Sequence, residues 1–230
     1  AVCEVHRKWD GVPMAVSQHR GHSIITHMGH THNDWTERFR ATVDIAQWHT
    51  VLSQWPHHTV WFEWVTDASI TKDPPGIYCV ARRENTWSAE HDQSADVLQV
   101  IADQLGIQHT PRWSETFAEL KSRANQDRTE GYVFRTPHHT WAKLKTSWYL
   151  TQTFLHRWGP SGLAQRLQDD SIMASIDPQF RPLVLWIRAR WSQYCAMTPD
   201  QRIQWIAEEW DLNNFGHDVR CGSFRFFWWD

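Results

Sequence analysis

The chain has 230 residues, of which 23 are Lys or Arg and 26 are Asp or Glu, for a net charge of -3. That length holds one large domain with a small appendage, and the near-neutral balance excludes a chain that grips nucleic acid through overall charge, leaving a local basic groove as the way to do so. No apolar run of about 18 residues offers a membrane-spanning helix, and the first residues lack the apolar core of a signal peptide.

Taken in chain order, Lys8-Trp9-Asp10-Gly11 comes first as a polar signature closed by glycine. Val12–Ser17 and Ser23–Thr26 read as paired strands around an Arg20-Gly21 turn. Thr59–Val65, Ile77–Ala81, Tyr132–Arg135 and Trp141–Lys145 are further apolar or aromatic runs of strand length. Between them, Ser94 caps a predicted helix carrying Val97, Leu98, Ile101 and Leu105 and closed by Gly106. Ser114 caps another with Phe117 and Leu120. Pro137-His138-His139 suits a hairpin connection.

Beyond Tyr149 the pattern turns helical. Ser147–Trp158 ends at Gly159-Pro160, Ser161 restarts a segment, and Phe180–Ala196 is amphipathic through Leu183, Ile187, Trp191 and Tyr194. Thr198-Pro199-Asp200-Gln201 spells a capping-box start. The expectation is an α+β fold, with an antiparallel-sheet domain over residues 1–149 and a small all-helical domain over 150–230.

Two compositional features bear on function. Cys3, Cys79, Cys195 and Cys221 are scattered without a C-x-x-C pair, so neither a zinc site nor a disulfide framework is expected, and reduced thiols in a cytoplasmic setting are the default. The 17 tryptophans are read mostly as packing, with Trp9, Trp35, Trp113 and Trp148 as candidates to stack on unpaired bases.

Three signatures occur in order: Lys8-Trp9-Asp10-Gly11, Glu130-Gly131-Tyr132-Val133, and Trp141-Ala142-Lys143-Leu144-Lys145-Thr146-Ser147-Trp148-Tyr149. Trp61-Phe62-Glu63-Trp64-Val65 adds a fourth between the first two. A lone K-x-D-G recurs by chance. The ordered set resembles the ATP-dependent RNA ligases of bacteriophages, of the tRNA-repair type, within the covalent nucleotidyltransferases. Gly76–Asn85, ending in Arg83-Glu84-Asn85, is similar to the next strand of that family.

The resemblance implies a nucleotidyltransferase domain of ATP-grasp-like ligase type followed by a helical domain. It also implies Lys8 as the nucleophile that forms a lysyl-AMP from ATP, with Mg2+ as the metal and RNA ends, tRNA or single-stranded, as substrate for a monomeric enzyme. Nucleotide-binding residues carried over in this way are Lys8, Trp9, Gly11, Glu63, Tyr78, Glu130, Val133, Lys143 and Lys145, with Glu63 on the ribose and Glu130 supporting metal and lysine. Tyr78 or Val80 would cover one face of the adenine and Val133 the other.

The chemistry needs these residue types. A lysine attacks phosphorus only when unprotonated, although its free pKa is near ~10.4. Burial and the neighbouring cations Lys143 and Lys145, two apart on one strand face, are expected to lower it. Gly11 and Gly131 would let backbone approach the nucleotide. Family members carry a triphosphate-holding segment upstream of the nucleophile, and only seven residues precede Lys8 here. Met28 also stands where the family has a functional lysine, with Arg20, His27 and His30 as nearby substitutes. The first step, using ATP, is therefore expected to suffer more than the sealing of pre-adenylated RNA.

Two other readings compete. His30, His32 and Asp34 spell H-x-H-x-D, the start of a metal-dependent hydrolase site, but Trp35 stands where a further histidine is wanted. A degenerate nucleotidyltransferase that only binds RNA is the non-enzyme reading.

Overall fold

Alternating apolar and polar residues build two five-stranded sheets whose edges and faces position the signatures. The computed structural model describes residues 2–71, 73–85, 95–136, 141–157, 163, 180–210 and 219–221. In chain order the strands are β1 (Val2–Lys8), β2 (Val12–His19), β3 (His22–Thr26), β4 (His58–Val65) and β5 (Gly76–Glu84). They continue with β6 (Gln108–His109), β7 (Arg112–Thr116), β8 (Gly131–Arg135), β9 (Trp141–Lys145) and β10 (Val219–Cys221). One sheet has the order β10-β9-β8-β1-β7 and the other β3-β2-β4-β5-β6, every pairing antiparallel except β5 with β6.

Helices α1 (Asp34–Thr42), α2 (Ile45–Leu52) and α3 (Ala95–Leu105) supply one core. Phe39, Trp48, Leu52 and Ile101 pack on Met14, Val60, Phe62 and Trp64 from one face of the second sheet. Trp48 meets Phe62 with ring centroids 4.7 Å apart, and burying side chains of this size contributes roughly 1.5–3 kcal/mol each. A second core joins both sheets: Val5 and Trp9, Val65, Tyr78 and Val80, and Val133, Phe134 and Leu144 cluster with Leu120 and Ala124 of α4 (Phe117–Gln126). The first sheet thus carries α4 on one side.

A third core is helical. Phe154 of α5 (Ser147–Arg157) packs with residues of α6 (Arg181–Arg188), α7 (Trp191–Ala196) and α8 (Pro199–Glu209), among them Leu183, Ile187, Tyr194, Trp205 and Ile206. Helix α5 touches both α4 and α8, so it joins the strand-built part to these helices.

Several sequence expectations change. Strand β1 was not anticipated, because Glu4, His6 and Lys8 make one of its faces polar while Cys3 and Val5 are buried on the other. Ser114 lies inside β7 and caps nothing; Thr116 caps α4 instead, its hydroxyl accepting from the Glu119 amide while Glu119 accepts from the Thr116 amide. Helices α1 and α2 were missed although Asn33 and Asp44 cap them. The single helix expected over Phe180–Ala196 is two, since Arg190 leaves helical geometry at φ −124°, ψ 27°. The Ser94 cap, the Pro137-His138-His139 connection, the Gly159-Pro160 stop and the Ser161 restart lie outside the described residues.

Candidate nucleotidyl-transfer site

Strand pairing brings the signatures together. Lys8 ends β1 directly opposite Gly131 of β8, and Gly131 is opposite Lys145 of β9. The three strands therefore place Lys8, Glu130 and Lys145 at one end of the first sheet. Lys8 Nζ lies 2.6 Å from Glu130 Oε1, and Lys145 Nζ lies 3.6 Å from the same oxygen. Lys8, Glu63, Glu130 and Lys143 are all buried, Lys143 at 1 % exposure. Burial of so many charges is sustainable only where they are paired.

The electrostatics differ from the sequence expectation for Lys8. Burial does lower its pKa, yet the carboxylates of Glu130 and Glu63 outweigh burial and hold it above the ordinary lysine value. The carboxylates, and not the cations Lys143 and Lys145, set its state, so the free protein keeps Lys8 as an ammonium. Burial acts on Glu63 in the opposite sense: its carboxyl is pushed up to about 8, with Lys8 pulling it partly back. Glu63 accepts from the Gly11 amide, while its Oε2 is buried without a hydrogen-bond partner.

The two glycines have a reason within the protein itself. A Cβ on Gly11 would stand 2.8 Å from the Trp64 carbonyl oxygen and 2.9 Å from Glu63 Cγ. One on Gly131, at φ +151°, would stand 2.2 Å from the Leu144 carbonyl oxygen. Both therefore permit chain to approach chain.

Asp10 received no role from the sequence, and the structure makes it a hub. Its Oδ2 accepts from the Ser69 hydroxyl at 2.9 Å, the Ile70 amide at 2.6 Å and the Thr71 amide at 3.1 Å. Its Oδ1 accepts from the Tyr149 hydroxyl at 2.9 Å. One carboxylate thus fastens the β1–β2 turn, the loop after β4 and the start of α5. Lys145 Nζ lies 5.1 Å from the centre of the Tyr149 ring, so the clasp also bears on Lys145. Only its place inside K-x-D-G marked Asp10 in advance.

Trp9 stacks on Tyr78 with centroids 3.9 Å apart and planes 21° apart. The Trp9 indole N–H donates to Thr110, and the Tyr78 hydroxyl donates to the Pro74 carbonyl. Arg7 lies 4.6 Å above Trp9 and is ion-paired to Asp73. One face of Tyr78 is therefore already covered by Trp9. Val133, opposite His6 and Lys143 in the first sheet, belongs to the same core cluster as Tyr78 and Val80.

The remaining candidates lie elsewhere. His27 and His30 close a two-residue turn of Met28 (φ 49°) and Gly29 (φ 80°), with mutual amide–carbonyl bonds of 3.0 and 2.9 Å. Arg20 sits at φ 48° in the β2–β3 turn and is exposed. His30, His32 and Asp34 are exposed, and His32 faces Glu37 at 3.4 Å. Among the described residues no three His, Cys, Asp or Glu side chains gather to hold a metal. Trp35 and Trp113 are half-buried against the cores, whereas Trp148 lines a cleft. Cys3 and Cys79 are buried free thiols and Cys195 is an exposed one. No helix among the described residues is long and apolar enough to cross a membrane.

The architecture is mixed α+β. Among solved structures the chain is similar to a putative ATP-dependent DNA ligase from Aquifex aeolicus, with TM-score 0.54 and 14% identity over 93% of this chain and 58% of that one. It is likewise similar to an archaeal ATP-dependent RNA ligase in two forms. One gives TM-score 0.55 and 16% identity over 90% of this chain and 61% of that one; the other gives 0.54 and 16% over 90% and 60%. At such identity the likeness establishes the fold, and the chain spans 58 to 61% of these neighbours' length. No family model and no curated protein matches the sequence.

Proposed function

We propose that this chain is the adenylating part of an ATP-dependent RNA ligase that acts through Lys8. The observation that carries the reading is the buried Lys8–Glu130–Lys145 cluster, with Nζ of Lys8 2.6 Å from Glu130, set at the end of a ligase-like sheet. The solved neighbours include both a putative DNA ligase and an RNA ligase, and the Lys145-Thr146-Ser147-Trp148-Tyr149 signature favours RNA. In this reading residues 1–149 bind the nucleotide and the helices of 150–230 bear on the RNA, a tRNA or single-stranded end, inside the cell.

The chain of events follows from the charges. Lys8 Nζ, once its proton has passed to Glu130, attacks the α-phosphorus of ATP; the N–P bond forms and pyrophosphate leaves with the electrons of the broken P–O bond. Lys143 and Lys145 bring positive charge to the phosphates. An RNA 5′-phosphate then takes the AMP from Lys8, and a 3′-hydroxyl attacks that 5′-phosphate with release of AMP. The orphaned Oε2 of Glu63 fits a ribose hydroxyl as donor, since a buried acceptor left unmade costs about 1–3 kcal/mol. The resemblance puts Tyr78 against the adenine, with Trp9, stacked between Tyr78 and Arg7, backing it.

Magnesium commonly keeps several waters and binds through one or two carboxylates plus substrate phosphates. The Glu130 carboxylate fits one such position, and a cage built wholly from protein does not fit, because no three candidate ligands gather among the described residues. Bound there, the ion would neutralise phosphate charge.

Incubation with α-labelled ATP and Mg2+ tests the reading. An acid-labile covalent AMP adduct is expected in wild type and absent in Lys8→Ala. A chain that binds RNA yet forms no adduct would be the binding-only form.

A further inference from the structure

We propose that the cleft between α5 and α8 is a nucleobase subsite that receives one unpaired base of the RNA strand and favours guanine. The choice of RNA as ligand rests on the ligase reading above. The cleft has a volume of about 430 Å3 and is lined by Arg128, Trp148, Asp200, Ile203, Gln204 and Glu208. None of these belongs to the nucleotide site.

Its walls are fastened to the strand ends that carry the charge cluster. Trp148 stands in the first turn of α5, just past Lys145, and Arg128 stands just before Glu130. The Thr146 amide donates to the Glu130 carbonyl at 3.1 Å, and the Thr146 hydroxyl donates to the Thr129 carbonyl. The two segments are thereby locked together, which ties the cleft to the strand ends that carry Glu130 and Lys145.

The lining chemistry narrows the occupant. Asp200 and Glu208 repel a phosphodiester, while Arg128 disfavours a cationic side chain. A neutral planar ring with outward N–H groups meets neither objection, and the half-buried Trp148 indole gives it a stacking surface. Gln204 Nε2 donates to Glu208 Oε1 at 2.8 Å, which engages one of the amide's two N–H groups, and with the Asp200 and Glu208 carboxylates beside it the cleft is rich in acceptors. Guanine alone among the four bases offers two adjacent donors, N1–H and the N2 amine, matching both oxygens of a carboxylate. Adenine and cytosine offer one amine, and uracil one N–H between two carbonyls that a carboxylate repels. Asp200, exposed in the first turn of α8, is the carboxylate we assign to this pairing.

The test is fluorescence anisotropy with labelled single-stranded RNA octamers of adenosine carrying one central guanosine, inosine or uridine. Wild type should bind the guanosine strand about tenfold more tightly than the uridine strand, with inosine, which lacks the N2 amine, between them. Asp200→Asn should bring guanosine down to the level of adenosine without weakening the all-adenosine strand. Trp148→Ala should weaken every strand by about tenfold, with Trp148→Phe recovering most of it. Circular dichroism and melting curves check that each variant folds; if Trp148→Ala does not, the exposed Asp200→Asn and the inosine series decide. Unchanged RNA affinity in a folded Trp148→Ala, or an unchanged guanosine preference in Asp200→Asn, overturns the proposal. The assay uses no ATP: a chain that prefers guanosine but forms no AMP adduct keeps the subsite and loses the ligase reading, and the reverse result does the opposite.

Discussion

Glu63→Gln should remove a fall in stability that is expected of this protein as pH rises above neutrality. In the folded chain burial raises the Glu63 carboxyl from 4.5 to about 8, with Lys8 opposing. Between those values the folded state holds a proton that the unfolded state has released, so stability falls as pH rises through the window. His6 works the other way. It is fully buried, and burial together with Arg112 holds it at about 3 against the ordinary 6.5, so stability is lost as pH falls below 6.5. The two effects oppose each other between pH 4.5 and 6.5, where a plateau is expected. Above 6.5 Glu63 acts without that opposition. From pH 6.5 to 8, at ~1.36 kcal/mol per pH unit, the loss comes to about 2 kcal/mol. For a chain of this size that is a drop in melting temperature of roughly 4–8 °C. Differential scanning calorimetry at pH 6.5, 7, 7.5 and 8 measures it in wild type and in Glu63→Gln. Equal slopes in the two proteins would refute the assignment of a buried, protonated Glu63.

Other outcomes follow from the same geometry. Lys8→Ala and Lys8→Arg should each form no enzyme–AMP adduct with labelled ATP, the second because a guanidinium stays protonated; an adduct in either removes Lys8 as the nucleophile. Glu130→Ala and Lys143→Ala should each slow adenylation by at least about tenfold, equivalent to ~1.4 kcal/mol of barrier, and single-turnover rates equal to wild type would detach them from the reaction. Asp10→Asn replaces one accepting oxygen of the clasp by a donor. With charge-assisted bonds worth about 1.5–3 kcal/mol, a loss of several degrees in melting temperature is expected together with a lower adenylation rate, whereas Tyr149→Phe, which removes one of the four bonds, should cost less in both; the reverse order of the two variants would contradict the clasp. Sealing of a pre-adenylated RNA strand should outpace ATP-dependent joining of the same strands, measured side by side on a gel, and the opposite order would contradict the argument from Met28.

The parts of this molecule that the sequence disclosed are those written in local period and in short ordered motifs. Strands β2, β4, β5, β8 and β9 carry apolar or aromatic runs long enough to be read, and α3 and α8 announce themselves through Gly106 and the Thr198 capping box. Strand β1 hides because the face bearing Glu4, His6 and Lys8 is polar, with His6 and Lys8 buried, and no local rule expects a strand to bury a charge. The pairing partner that makes this tolerable, Glu130, is more than a hundred residues away, and periodicity carries no information about such distances. The same holds for the site. Motif order was enough to name Lys8, Glu63, Glu130 and Lys145, but the sign of the Lys8 shift depends on the 2.6 Å contact with Glu130 and on the nearby Glu63, which together outweigh burial. Gly11 and Gly131 show the limit from the other side: their presence was legible and their reason was not, because a missing Cβ can serve a ligand or a neighbouring strand equally well. Only the 2.2 Å that would separate a Gly131 Cβ from the Leu144 carbonyl oxygen shows that the neighbouring strand by itself already requires the glycine.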